Sequence, residues 1–306
     1  MREIVVISGK GGTGKTSVSA ALAALIPNVL LCDLDVDAPD LHIILDPRIQ
    51  RREVFFSGNE AEIRRALCVQ CGKCAEICRF DAIVRDEEGY HVNSMRCEGC
   101  GVCVALCPAR AIAFPERECG EWYISETRFG PMVHAQLYPG QENSGRLISL
   151  LKQEAHILAK QKGSDWVLCD GSPGVGCPVI SSLSGAQLAI AVVEPTPSGR
   201  HDFQRVAELC DHFRIPLAVI INKADLNAEQ SAAIQIHAEE KGYSVVGSLP
   251  FDPAVTQAMI QRKALTEIPS PMADTLAAIW QNIERLATTA ARGKRNNTLL
   301  QPKERT

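Results

Sequence analysis

The run Gly9-Lys10-Gly11-Gly12-Thr13-Gly14-Lys15-Thr16 follows the apolar stretch EIVVIS at 3–8 and precedes KTSVSAALAALI at 15–26. It fits G-x-x-x-x-G-K-[ST] between a strand and a helix, where glycines let backbone N–H groups turn toward a phosphate. In that chemistry Gly9, Gly11, Gly12, Thr13 and Gly14 form the cradle. Lys15 reaches the β and γ oxygens of a nucleoside triphosphate, Thr16 offers its hydroxyl to Mg2+, and Ser17 follows in the first helical turn.

A second reactive set lies further on. Of 13 cysteines, eight fall between Cys68 and Cys107, in two runs of C-x2-C-x2-C-x3-C. This spacing belongs to bacterial-type two-cluster iron–sulfur modules, in which the fourth cysteine of each run ligates the other cluster. Cys68, Cys71, Cys74 and Cys107 are therefore expected on one 4Fe-4S cluster, and Cys97, Cys100, Cys103 and Cys78 on a second. Two zinc ions would use as many thiolates, but zinc sites pair separated C-x2-C elements rather than triplets. Arg79 stands where the pattern carries proline; the second run keeps Pro108.

The elements that must position these groups follow from periodicity. Strand 3–8, the glycine loop, a helix at 15–26 and a strand at 29–32 ending on Asp33 make a β-loop-α-β start. Strands at 165–169, 187–193, 216–221 and 244–248 alternate with helices near 145–162, 200–213, 228–241 and 254–263. A last helix is expected at 272–287. Such alternation predicts an α/β fold, a mostly parallel sheet flanked by helices. Residues 121–138 read as a strand pair or an extended excursion. From Arg64 to Phe114 the aliphatic period gives way to cysteine, and Cys68, Cys71, Cys74, Cys78 and Ile83 recur 29 positions later as Cys97, Cys100, Cys103, Cys107 and Ile112. Each half is too small to bury a sheet face, so metal ligation is expected to supply its core. The domain reading is an ATPase domain at 1–63 and 115–290, a bacterial-type ferredoxin module at 64–114, and a basic flexible tail at 291–306.

With 306 residues, 46% hydrophobic and 22% charged, the chain can bury a large core, and wholesale disorder is excluded. A net charge of -4 gives no nucleic-acid character, and no apolar run is long enough to span a membrane. The odd, clustered cysteines argue against a disulfide framework and for a reducing, cytoplasmic setting.

Lys10, inside the loop, makes the chain resemble the MinD/ParA/Mrp superfamily, which includes the nitrogenase iron protein. The resemblance implies that Lys10 crosses to the nucleotide of a second copy, giving a homodimer with ATP at its interface. Asp33 then matches the outer-shell magnesium acid and Asp35 the acid that orients attacking water, while Asp37 and Asp40 face the partner or cap a helix. Asp170, closing WVLCD, resembles the second magnesium acid, and the backbone N–H of Gly174 is placed to sense the γ-phosphate. Asn222 and Asp225 in NKAD leave adenine and guanine open on composition; the resemblance favours ATP/ADP, with Asn222 reading the base and Pro250 set against it. Cys177, with Cys119 as its poorer match, resembles a cysteine that holds a cluster between subunits.

Joined to the cysteine module, the sequence resembles superfamily ATPases with an inserted ferredoxin domain, known mainly from anaerobes and encoded beside relatives of nitrogenase-cofactor carriers. Two functions are implied. One is an ATPase whose dimerisation gates electron transfer or docking to a redox or metallocluster protein. The other is an ATP-dependent iron–sulfur cluster carrier. Neither nucleic acid nor stable membrane insertion is expected.

Overall fold

A computed structural model describes the backbone of residues 1–298 and the side chains through Thr289. In chain order the elements are β1 (Arg2–Ser8), α1 (Lys15–Ala23), β2 (Val29–Asp33), α2 (Leu41–Leu45), β3 (Arg48–Asn59), β4 (Glu62–Ile63), α3 (Lys73–Glu76), β5 (Ile83–Asp86), β6 (Gly89–Val92), α4 (Val102–Ala105), β7 (Ile112–Ala113), β8 (Glu116–Glu126) and β9 (Pro131–Leu137). They continue as α5 (Ser144–Lys162), β10 (Trp166–Pro173), α6 (Cys177–Leu183), β11 (Leu188–Val193), α7 (Pro197–His212), β12 (Leu217–Asn222), α8 (Ala228–Glu240), β13 (Ser244–Leu249), α9 (Ala254–Ile260) and α10 (Pro271–Thr298).

The chain divides into two compact units. The first comprises Met1–Glu53, Trp122–Gln136 and the chain from Ser144 onward; the second comprises Val54–Glu121 and Leu137–Asn143. Nine strands are ordered β13-β12-β11-β1-β10-β2-β9-β8-β3, and the pairings from β13 across to β2 and on to β9 are parallel. The apolar runs of β1, β2, β10, β11 and β12 are buried on both faces, as a helix-covered parallel sheet requires. Parallel pairing brings the carboxyl ends of β1, β2, β10, β11 and β12 to one edge, where α/β sheets place ligands. No described helix is long and apolar enough to cross a membrane.

Residues 121–138 resolve into β8 and β9 joined by a tight turn, in which the Thr127 N–H donates to Gly130 O at 2.9 Å. The last helix runs past the apolar spacing at 272–287 to Thr298. The expected basic tail therefore begins inside a helix, and its remainder from residue 299 lies outside the described residues.

The second unit keeps the internal repeat in its backbone. Gly72 and Gly101, both left-handed at φ 76° and 72°, open α3 and α4. The Ala82 N–H donates to Cys78 Sγ at 3.4 Å, and the Ala111 N–H to Cys107 Sγ at 3.3 Å. Antiparallel pairs β4–β7 and β5–β6 frame these loops. The cysteine-rich segment 64–114 lies wholly within this unit.

Candidate functional site

The glycine loop joins β1 to α1, and its glycines answer to different demands. Gly14 has φ 92°, and a Cβ there would lie 2.3 Å from Asn222 Nδ2; at Gly9 it would lie 2.4 Å from Asp202 Cβ. Gly11 is different: a Cβ there would meet nothing within 4 Å, and φ is not left-handed. Neither backbone angle nor neighbouring atoms require glycine at this position. Asn222 Nδ2 donates to Thr13 O at 2.7 Å and Lys223 Nζ to Gly12 O at 3.0 Å, fixing the loop carbonyls. Thr13 Oγ1 is buried without a hydrogen-bond partner among the described residues.

Lys15, the first residue of α1, is buried with its ammonium 3.0 Å from Asp170 Oδ1 and 3.6 Å from Asp35 Oδ2. Asp170 also accepts from Thr16 Oγ1 at 2.7 Å and from Ser19 Oγ at 2.8 Å. Asp33 accepts the N–H groups of Asp35 and Leu41 at 3.1 and 3.3 Å. Burial pulls the Lys15 ammonium down, but Asp170, Asp35 and Asp33 outweigh it and hold the lysine above its usual range. Burial pushes the Asp33 carboxyl well up, and Asp170 adds to the rise against the opposing Lys15 charge. Asp35 is raised by burial, and Asp37 by burial alone. Three acids gather about one lysine, Asp33 and Asp170 buried and Asp35 partly so, and carboxylate oxygens are the donors a divalent cation takes. Asp40 precedes α2 without capping it.

A cavity of about 230 Å3 adjoins the loop, lined by Gly12, Gly14, Ser17, Asn222, Pro250 and apolar side chains that include Val18 and Leu265. Asn222 and Pro250 thus meet at one cavity, as base contacts would. Asp225 Oδ1 accepts the N–H of Phe251 at 2.6 Å, steadying the loop that forms the cavity wall. Gly174 is also engaged. Its φ is 95°, and its N–H donates to Ser8 O at 2.8 Å, so a phosphate would have to exchange for that carbonyl. Lys10 folds back within its own chain, with Nζ 3.2 Å from Glu194 Oε2, Thr196 Oγ1 and Ser198 Oγ.

Sequence reasoning missed Glu194, Lys223 and Ser19. Glu194 follows β11 at the same sheet edge, and an acid just past a strand end was the available signal. Ser19 lies one helical turn beyond Lys15.

In the second unit, Cys68, Cys71, Cys74 and Cys107 line one cavity together with Tyr90 and Pro108. Burial raises the Cys74 thiol, and the Cys68 and Cys107 sulfurs beside it add to the rise; burial likewise raises Cys103, with Cys97 and Cys100 adding. Among the described residues no three His, Cys, Asp or Glu side chains are grouped to hold a metal ion. A single tetrahedral ion at about 2.3 Å from each sulfur needs such convergence, whereas a cubane needs thiols spread around a volume, each on its own iron. The first four thiols surround one cavity, whose free volume is about 20 Å3, and their sulfur donors are of the kind an iron–sulfur cluster takes. At the acid cluster, the Lys15 ammonium stands between the carboxylates.

Cys32, Cys169 and Cys210 are buried and Cys177 is exposed. Cys119 is buried with Sγ donating to Ser57 O at 3.2 Å, which removes it from the intersubunit cluster reading. Met132 and His134, on β9, are both packed inside. His134 lies between Tyr123 and His42 and shares a hydrogen bond with Ser125 Oγ at 2.9 Å.

A family model described as the CobQ/CobB/MinD/ParA nucleotide binding domain matches residues 4–265. An uncharacterized protein of Methanocaldococcus jannaschii is 31% identical over 292 residues, 92% of this chain and 96% of that one. The crystal structure of the cell division ATPase MinD of Pyrococcus furiosus shares the fold, with a TM-score of 0.57 at 18% identity over 93% of this chain and 99% of that one. One component of the Na(+)-translocating ferredoxin:NAD(+) oxidoreductase complex of Acetobacterium woodii is 38% identical over 58 residues, 19% of this chain and 17% of that one.

Proposed function

We propose, on the footing that this chain belongs to the CobQ/CobB/MinD/ParA nucleotide-binding family, that it is a Mg-ATP-dependent switch whose cysteine-rich unit carries two 4Fe-4S clusters. The observation that carries the reading is the buried Lys15 ammonium, 3.0 Å from Asp170 and 3.6 Å from Asp35 at the carboxyl edge of the sheet. Lys15 would neutralise the β and γ oxygens of ATP, Thr16 and Asp170 would hold Mg2+ with Asp33 in its outer shell, and Asp35 would orient the attacking water. Bound Mg2+ supplies neutralisation of phosphate charge. Asn222 and Pro250 would hold the base. Adenine is favoured because one oxygen of the Asp225 carboxylate, the group guanine would need, is committed to the Phe251 N–H.

Lys10 would leave Glu194 for the phosphates of a second copy, so that dimerisation depends on ATP and its reversal on hydrolysis. For the cysteine-rich unit the support is the spacing of the two runs and the four thiols around one cavity; a stretch of 58 residues of the chain is also 38% identical to a component of a ferredoxin oxidoreductase complex. Bound clusters supply one-electron transfer. The nucleotide state would then gate electron transfer to, or docking of, a redox or metallocluster protein. Exposure of Cys71 and Cys100 favours cluster delivery as a second reading, distinguished by stoichiometric loss of iron to an acceptor protein.

Anaerobic purification with iron, sulfide and zinc counted on the sample used for ATP hydrolysis tests both halves. About eight irons and eight sulfides per chain are expected, with turnover lost in Lys15→Ala. Zinc in place of iron, or turnover indifferent to Lys15, contradicts the proposal.

A further inference from the structure

We infer that Arg117 is a positioning residue that makes the two halves of the cysteine-rich unit unequal, holding the cluster bound through Cys97 at a higher reduction potential than the one bound through Cys68. The inference rests on the reading of these thiols as iron–sulfur ligands.

The two runs match in the left-handed glycines at 72 and 101 and in the N–H to sulfur bonds at Cys78 and Cys107. Their surroundings differ, in the charges at equivalent positions, such as Lys73 against Val102 and Leu67 against Arg96, and in what packs on them. The carbonyl of Cys97 accepts from Arg117 Nη2 at 2.5 Å. Arg117 lies on β8, outside the repeat, and is only 18% exposed; its Nε lies 3.2 Å from Glu60 Oε2, out of line for a hydrogen bond. On the first run Arg65, three residues before Cys68, turns to Glu88, and both of those side chains are exposed.

The seat of the second run is also tighter. A Cβ on Gly99 would lie 2.3 Å from Asn59 O, so the loop from Cys97 to Cys100 rests directly on the backbone just before Glu60. Its repeat mate is Gln70, which bears a side chain at nearly the same backbone angle, φ 56° against 60°. Glycine at one copy and glutamine at the other is the mark of a loop pressed against the end of β3, directly before Glu60.

One-electron reduction adds negative charge to a cluster, so a fixed, partly buried cation beside one site stabilises that site's reduced form. Arg117 supplies that cation and, through the Cys97 carbonyl, fixes its distance. Glu60 tempers it. Given one electron from a low-potential donor, the pair would hold it at the second cluster. The two residues must then act with opposite sign, which a merely structural role does not produce.

The test is an EPR-monitored dithionite titration of the full chain prepared anaerobically, with iron and sulfide counted first, in the wild type and in Arg117→Gln, Arg117→Lys and Glu60→Gln. Two separate one-electron steps are expected in the wild type. Arg117→Gln lowers the upper one by about tenfold in the reduced-to-oxidised ratio, about 59 mV for one electron. Glu60→Gln raises that step, and Arg117→Lys leaves it near the wild-type position. Unchanged potentials in a fully loaded Arg117→Gln overturn the inference. Should that variant fail to load, an unshifted or lowered upper step in Glu60→Gln overturns it instead. A wild-type chain without iron and sulfide overturns the cluster reading, and the inference with it.

Discussion

Lys10 Nζ lies 3.2 Å from Glu194 Oε2, and the other oxygen of that carboxylate lies 3.0 Å from Lys223 Nζ, which in turn holds Gly12 O. Burial works to raise the Glu194 carboxyl, but bonds from Lys223 and Lys10 outweigh it and keep it below its usual range. Within a single chain the lysine expected to serve a second copy is tied to a residue of its own.

That tether gives the first prediction. Glu194→Gln frees Lys10 at the loss of a partly exposed ion pair worth up to about 1 kcal/mol, so ATP-driven self-association tightens by up to about fivefold. Sedimentation with ATP and with ADP checks it; weaker association in the variant argues that Glu194 serves the dimer rather than restraining it.

Gly11 and Gly14 separate what the fold needs from what a ligand needs. Gly14→Ala forces a Cβ to 2.3 Å from Asn222 Nδ2 at φ 92° and should destabilise the chain by about 1 to 3 kcal/mol. Gly11→Ala meets nothing and should unfold within about 0.5 kcal/mol of the wild type while losing nucleotide affinity. Thermal melts paired with ATP titration decide; equal ATP affinity in Gly11→Ala removes the loop from the site.

Lys15 balances buried acids, so its removal has a structural cost as well as a catalytic one. Lys15→Met should lower stability by about 3 to 5 kcal/mol, the range for one partner removed from a buried pair. Adding Asp170→Asn should recover part of that loss in a double-mutant cycle measured by urea unfolding; additive effects contradict the coupling seen at 3.0 Å.

His134 sets an acid limit. Burial, aided by the His42 charge, pulls it down to about 4 from 6.5. Between those values the unfolded chain takes up the proton and the folded one does not. Stability therefore falls as pH drops from 6.5 toward 4, by at most about 3 kcal/mol from this residue. Urea midpoints at pH 7 and pH 4.5 check the slope, which His134→Gln should flatten.

The β1-loop-α1-β2 start was legible because a glycine loop between two apolar runs is a local signal, and so was the cysteine spacing. β3 was not. Its first six residues, RIQRRE, are exposed, and as an edge strand it lacks the apolar alternation that marks a half-buried one. Glu194, Lys223 and Arg117 were hidden for another reason: each matters through a partner far away in the chain, which only the pairing of strands brings near. Asp225 and Gly174 show the limit of motif matching. Both stand where the pattern puts them, yet the Asp225 carboxylate is taken by Phe251 N–H and the Gly174 N–H by Ser8 O.

The coupling of nucleotide state to the cysteine-rich unit is tested most directly by stopped-flow oxidation of the dithionite-reduced chain by a one-electron acceptor, with ATP, with ADP and with no nucleotide. The rate with ATP is expected to differ from the other two, and Lys10→Ala to abolish the difference. Identical rates in all three conditions would contradict the coupling.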